Sequence, residues 1–252
     1  MKILNYKDIM NNQTVNQIKG NTFESNIYVG EMGELYKIFK ITETKYNPKD
    51  YLNGKREKAV LLNKYFQNDM HLVAPRGLIF NEGYFKGLMY SYINDSYSLD
   101  RYMNDTSYSM EEKIKKFKDI SQSIRKMHQF KCYHADLGAS NILLDSKGNI
   151  YIIDLDNSQI GDNKADGRNY FATYLMNSFK YPTEASENLD NLTLMVTFLS
   201  LTIGENKVKE YLLDRNVVFE NNEVMKIAMI VKKCLKTQIS VPYFDDFEIA
   251  LY

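Results

Sequence analysis

The 252-residue sequence has only two cysteines, Cys132 and Cys234, far apart and in neither a CxxC pair nor a Cys/His metal-ligand spacing. A disulfide scaffold and a structural zinc site are thereby excluded, and the thiols suit a reducing cytoplasm. Histidine is nearly as scarce: His71, His128 and His134 are the three, none in an HExxH pattern, which argues against a metal hydrolase. Cys132 and His134 sit two residues apart, yet no partner motif turns them into a thiol nucleophile. Excess charge is also missing, because 32 Lys plus Arg balance 32 Asp plus Glu. No global field draws the chain to nucleic acid or to an anionic membrane, so an anionic ligand has to be held locally. The basic run Lys113, Lys115, Lys116 and Lys118 interleaves with Ile114, Phe117 and Ile120 and reads as a solvated helix face. Long apolar runs are absent as well. MKILNYKDIMNNQ has no apolar core of signal-peptide length, and Leu192 to Ile203 is too short to span a bilayer. A cytoplasmic protein with neither nucleic-acid nor membrane partners is the expectation.

What is present is an ordinary globular composition, 44% hydrophobic and 25% charged, without repeats or low-complexity segments. The first ninety residues favour strands. IYVG (27–30), the turn EMGE and LYKIFKI (35–41) predict a hairpin, with Lys37 and Lys40 on opposite strand faces. Asn47-Pro48 breaks the pattern, and REKAVLLNKYF (56–66) has the spacing of an amphipathic helix. GLIF (77–80) and FKGLMYSYI (85–93) predict another strand pair around NEGY. After Ile93 the texture becomes helical, at 98–104 and 111–129, which places a boundary near residues 92–97 and divides the chain into 1–93 and 94–252. ILLD and IYIID predict a short hairpin around SKGN. Residues 157–188 show little periodicity and read as a long functional loop. Residues 189–204 are apolar nearly all round and predict a buried helix, followed by helices at 205–213 and 222–236.

The chemistry concentrates in HADLGASNILLDSKGNIYIIDLD (134–156). His134, Asp136 and Asn141 are followed thirteen residues later by Asp154 at the end of an apolar strand. Phosphoryl transfer needs that set: one carboxylate to accept a hydroxyl proton, and an amide with a second carboxylate to hold magnesium against phosphates. HADLGASN matches HxDxxxxN, and IIDLD stands where a DFG-type loop is expected, so the chain resembles the protein-kinase-like superfamily. The resemblance implies an α+β, two-lobed fold with a small antiparallel-sheet N-lobe bearing one helix, and a larger helical C-lobe. It implies ATP and Mg²⁺ as cofactors, Asp136 as catalytic base, Asn141 and Asp154 as metal ligands, and His134 as a structural residue of the loop.

Carried upstream, the resemblance implies Lys37 as the strand lysine on the nucleotide phosphates and Glu57 as its helix partner. YSYIN (90–94) becomes the hinge, with Ser91 and Ile93 facing the nucleotide, and Ile27, Leu88 and Leu143 become candidate pocket walls. Asp190 stands where the family braces its catalytic loop from a buried helix; N-capping explains it equally well. Four positions depart from the pattern. GNTFESNIYVG has no GxGxxG, Ala135 replaces the arginine common before the base, Gly138 replaces the protein-kinase lysine, and Leu155-Asp156 replaces Phe-Gly. Asp156 reads either as an extra magnesium contact or as a plain loop aspartate. The loop is similar to that of the aminoglycoside and choline kinase branch. The expected function is therefore a kinase acting on a hydroxyl of protein Ser/Thr, with a small-molecule kinase and a pseudokinase binding module as alternatives.

Overall fold

Alternating apolar residues become strands where sequence periodicity predicts them, in a computed structural model that describes residues 1–18, 24–40 and 48–246. Gly20, the end of the expected strand at Ile41, and Asn47 lie outside the described residues. In chain order the elements are β1 (Lys2–Asn5), α1 (Tyr6–Asn11), β2 (Asn16–Ile18), β3 (Ser25–Val29) and β4 (Glu34–Phe39). They continue as α2 (Pro48–Phe66), β5 (Gly77–Asn81), β6 (Tyr84–Ser91), β7 (Tyr97–Ser98), α3 (Leu99–Asn104) and α4 (Met110–Gln129). Next come β8 (Cys132–Tyr133), β9 (Ile142–Leu144), β10 (Ile150–Ile152) and β11 (Gln159–Ile160). Four helices complete the order: α5 (Tyr170–Ser178), α6 (Glu187–Ile203), α7 (Glu205–Leu212) and α8 (Asn222–Thr237). The architecture is two-lobed. One compact unit holds Met1–Ser96 with Asp145–Asp156, the other Tyr97–Leu144 with Asn157–Tyr252. Among the described residues, no helix is long and apolar enough to cross a membrane.

The first unit is a six-stranded sheet in the order β1-β5-β6-β4-β3-β2, antiparallel except for the parallel β1–β5 edge. Because side chains alternate along a strand, its two faces build separate cores. Phe39, Leu78, Leu88 and Tyr90 pack with Ala59 of α2 on one side. Ile38 and Ile79 pack with Ile9 of α1 on the other. The same alternation puts Lys37 on the α2 face, opposite Ile27 of β3 and Leu88 of β6 in register. The helix α1 and the strand β1 are additions to the expected small lobe. Helix α2 starts eight residues before the predicted helix, at Pro48, since proline is well placed in a first turn, where its missing N–H has no intrahelical partner to lose. Val73 N donates to Ile152 O and Ile152 N to His71 O, tying β10 to the segment after α2.

At Gly87 the β4 backbone leaves no room for a side chain: a Cβ there would lie 2.2 Å from the carbonyl oxygen of Lys37. Backbone cannot yield as a flexible side chain does, so Gly87→Ala is expected to destabilise the protein by about 1–3 kcal/mol. Chemical denaturation measures this, and an unchanged midpoint would contradict it.

The second unit is mainly helical. Helix α4 opens on a capping box, Ser109 Oγ accepting from Glu112 N while the Glu112 carboxylate accepts from Ser109 N. Its apolar stripe meets α6, whose residues 189–199 are buried throughout. Phe117 of α4, Phe198 of α6 and Phe244 form a triad with ring centroids 5.0–5.5 Å apart. The stretch expected to be a loop, 157–188, instead contains β11 and α5. Ala172, Leu175 and Met176 bury one face of α5, and Asn169 caps it by accepting from Ala172 N.

Candidate active site

Burying a lysine on a strand requires counter-charges, because an isolated ammonium loses its hydration with nothing in return. Among the described residues, Lys37 finds three carboxylates. Its Nζ lies 2.5 Å from Asp154 Oδ1, 2.9 Å from Asp156 Oδ2 and 3.6 Å from Glu24 Oε2. A second lysine enters the cluster from α2. Lys55 Nζ is 2.7 Å from Glu24 Oε1 and 3.2 Å from Asp156 Oδ2. Tyr90 donates its hydroxyl to Asp156 Oδ1 at 2.6 Å, and Tyr51 donates to Glu24. The side chains of Lys55 and Asp156 are both 0% exposed, whereas those of Asp154 and Glu24 are 30% and 29% exposed. Asp156 is thus the inner hub, and Asp154 and Glu24 form the rim.

The electrostatics follow from that layering. Burial alone would raise the Asp156 carboxyl, but Lys37, Lys55 and the Tyr90 hydroxyl outweigh it and hold the group well below the carboxylate range. Burial pulls Lys37 down, while Asp156 and Asp154 push it above an ordinary lysine. Burial and the neighbouring Asp156 charge drive the Tyr90 phenol up, so it stays a donor. Glu24, raised by burial, ends lowered because Lys37 and Lys55 dominate. Asp154 adopts φ 63°, in the left-handed region, so the chain turns sharply between the two aspartates.

In the second unit, Asp190 of α6 organises the loop that carries Asp136. Its Oδ2 accepts from His134 N at 2.7 Å and from His128 Nε2 at 3.0 Å, and its Oδ1 accepts from Ala135 N at 2.7 Å. Those bonds hold Ala135 at φ 64°, a conformation that costs an alanine about 1 kcal/mol or more. Asn141 Nδ2 donates to Asp136 O at 2.7 Å and lies 3.4 Å from Asp136 Oδ2. Gly138 N donates to Asp136 O as well. The segment before α5 packs onto this loop. Asn169 N donates to Ala135 O, and Gly167 lies so near that a Cβ on it would be 3.7 Å from Asp136 Oδ2. A Cβ on Gly138 would be 3.3 Å from Asn169 Nδ2, tighter than an ordinary van der Waals contact.

Of the residues singled out in the sequence, Lys37 and Asp154 meet in the first unit, and His134, Asp136, Asn141 and Asp190 meet in the second. Ile27 is half-buried opposite Lys37; Leu143 is half-buried opposite Ser98. Ser91 and Ile93 line a cavity of about 440 Å³ together with His71, Arg76 and Tyr151, and none of the Lys37 cluster lines it. Glu57 requires correction: it is exposed on α2, and the partners of Lys37 are Glu24, Asp154 and Asp156. The buried stripe of α2 runs through Lys55, Ala59, Leu62 and Phe66. Two residues along a helix turn about 200°, so Glu57 faces away from whatever Lys55 faces. That stripe was readable in the sequence and would have singled out Lys55. Nothing in local sequence marks Glu24, and the hinge reading of YSYIN gives Tyr90 no role as a donor to Asp156. Asp156 is no plain loop aspartate, since it is buried as a shared counterion of Lys37 and Lys55.

Magnesium is bound by hard oxygen ligands, commonly one or two carboxylates together with substrate phosphates. The partly exposed Asp154 carboxylate and the Asn141 amide oxygen are of that type. Among the described residues, no three acidic, histidine or cysteine side chains form a metal cage by themselves.

Residues 75–189 match the lipopolysaccharide kinase (Kdo/WaaP) family. The match takes in less than half of the chain, from just before β5 to the first turn of α6. It contains Asp136, Asn141, Asp154 and Asp156, whereas Glu24, Lys37 and Lys55 precede it. No curated protein matches the chain. In fold and across this stretch of sequence the chain is kinase-like.

Proposed function

We propose that this chain is an ATP-dependent, magnesium-requiring phosphotransferase whose acceptor is a small-molecule hydroxyl, in the first instance on a saccharide. The observation that carries the reading is the Asp136–Asn141 loop, braced by Asp190, inside a stretch that matches a lipopolysaccharide kinase family. In this reading Asp136 accepts the hydroxyl proton, Lys37 holds the nucleotide phosphates, and Asp154 with Asn141 holds the metal. Magnesium, when bound, supplies neutralisation of phosphate charge. Ile27, Leu143, Ser91 and Ile93 are the proposed contacts of the nucleotide base, on the resemblance alone.

The acceptor reading replaces the protein Ser/Thr expectation for two reasons. The family matched is named for lipopolysaccharide. Gly138 stands where protein kinases carry a lysine, so that side chain is missing here. Labelled ATP with magnesium, offered separately with lipopolysaccharide, an aminoglycoside, choline and a protein lysate, tests it. Label in a saccharide-type acceptor supports the reading, and label in protein alone overturns its acceptor half. The absence of a thermal shift with Mg-ATP together with the absence of any ATP turnover or autophosphorylation would establish the binding-module alternative instead. Asp154→Ala is expected to raise the magnesium concentration needed for half-activation by at least about tenfold, the loss that even outer-shell partners of a metal produce. A metal titration of activity reads this directly.

A further inference from the structure

In the kinase arrangement that this chain resembles, a helix glutamate steadies the strand lysine. Here the helix residue that faces Lys37 is itself a cation, Lys55, fully buried on α2. Two ammonium groups on neighbouring elements repel unless an anion stands between them. Asp156 and Glu24 both do, and Asp156 is the fully buried one of the two. Its Oδ2 lies 2.9 Å from Lys37 and 3.2 Å from Lys55, its Oδ1 is 3.1 Å from Lys37 and accepts from Tyr90, and it has no exposure through which to meet a ligand. It stands at the position where the resembled loop has glycine, a residue with no side chain to offer. The sequence therefore departs from the kinase pattern twice, at residue 55 and at residue 156, and the two departures touch.

We propose that Asp156, locked by Lys55 and Tyr90, is the positioning residue that aims the Lys37 ammonium at the nucleotide phosphates, in place of a helix glutamate. The inference rests on the phosphotransferase reading above and adds to it the residues that orient its lysine. Asp156 touches neither phosphate nor metal in this arrangement. It acts through Lys37, whose remaining partners, Asp154 and Glu24, sit on the exposed rim and are the ones a nucleotide with its metal would engage or displace. Without the hub, Lys37 has only rim carboxylates to follow, and its Nζ loses a fixed direction.

Three variants test this, each measured for kcat, KM for ATP, and affinity for ATP against adenosine, which lacks phosphates. Asp156→Asn keeps the shape and is expected to lose about 10²-fold in kcat/KM, the loss that a misplacement of roughly 1 Å produces, with adenosine affinity unchanged. Should that variant fail to fold, Lys55→Met combined with Asp156→Asn removes one cation and one anion together, strands no buried charge, and is expected to show the same selective loss. Lys55→Glu combined with Asp156→Asn supplies a helix carboxylate and is expected to recover at least tenfold of the loss. Wild-type kcat/KM in the Lys55→Met/Asp156→Asn protein, a parallel fall in adenosine affinity, or no recovery with Lys55→Glu would each overturn the proposal. A wild-type protein that neither binds nor turns over ATP would instead defeat the phosphotransferase reading, and the proposal with it.

Discussion

Asp136→Ala is expected to lower phosphoryl transfer by roughly 10²–10⁴-fold, the usual contribution of a general base, while leaving the protein folded. The expectation of an intact fold comes from how the loop is held. Asn141 Nδ2 and Gly138 N both donate to the backbone carbonyl of Asp136, and Asp190 grips the backbone of His134 and Ala135, so none of these bonds needs the Asp136 carboxylate. The carboxylate itself is half-buried, beside Gly167 and 3.4 Å from Asn141 Nδ2. Turnover and thermal unfolding should be measured on one preparation. Full activity in the alanine variant would refute the role given to Asp136, and an unfolded variant would refute the account of the loop.

Asp190→Ala should show the opposite pattern, a large loss of stability. The Asp190 carboxylate is fully buried and accepts from three donors: two backbone amides and the His128 ring. Removing it leaves all three without that acceptor in the core of the second unit. Breaking one partner out of a buried polar or ionic network costs about 3–5 kcal/mol. Set against a typical total of about 5–15 kcal/mol, such a loss unfolds a substantial fraction of molecules on modest heating. Ala135 should then relax from its left-handed conformation, so activity per folded molecule falls too. Urea unfolding gives the magnitude; a loss below about 1 kcal/mol would mean that Asp190 is only an N-terminal helix residue.

Helices with long apolar periods were legible. The predicted segments 111–129, 189–204 and 222–236 appear as α4, α6 and α8 within two residues, because each buries a continuous stripe that its own sequence displays. Helix α5 was not legible for a reason of length. Its nine residues carry three buried positions, too few to stand out in a window where a short helix is marginal without its tertiary neighbours. The start of α2 was hidden by Pro48, which reads as a break in an extended segment and serves equally well as the first residue of a helix.

The candidate site divides along the same line. The amino-acid sequence by itself determined the loop from His134 to Asn141 and the placing of Asp154 thirteen residues on, because those residues lie in one short, contiguous stretch whose spacing is visible. It also determined that Lys37 is a strand residue, in β4. The tertiary structure alone decided what Lys37 pairs with. Lys37 and Asp156 are 119 positions apart, and Lys55 and Asp156 are 101 apart. A pairing at that separation depends on which face of α2 turns inward, and that is set by packing against Phe39, Leu88 and Tyr90. Packing on that face buried a lysine where a glutamate was expected, and a buried cation requires a buried anion, so Asp156 became part of the site.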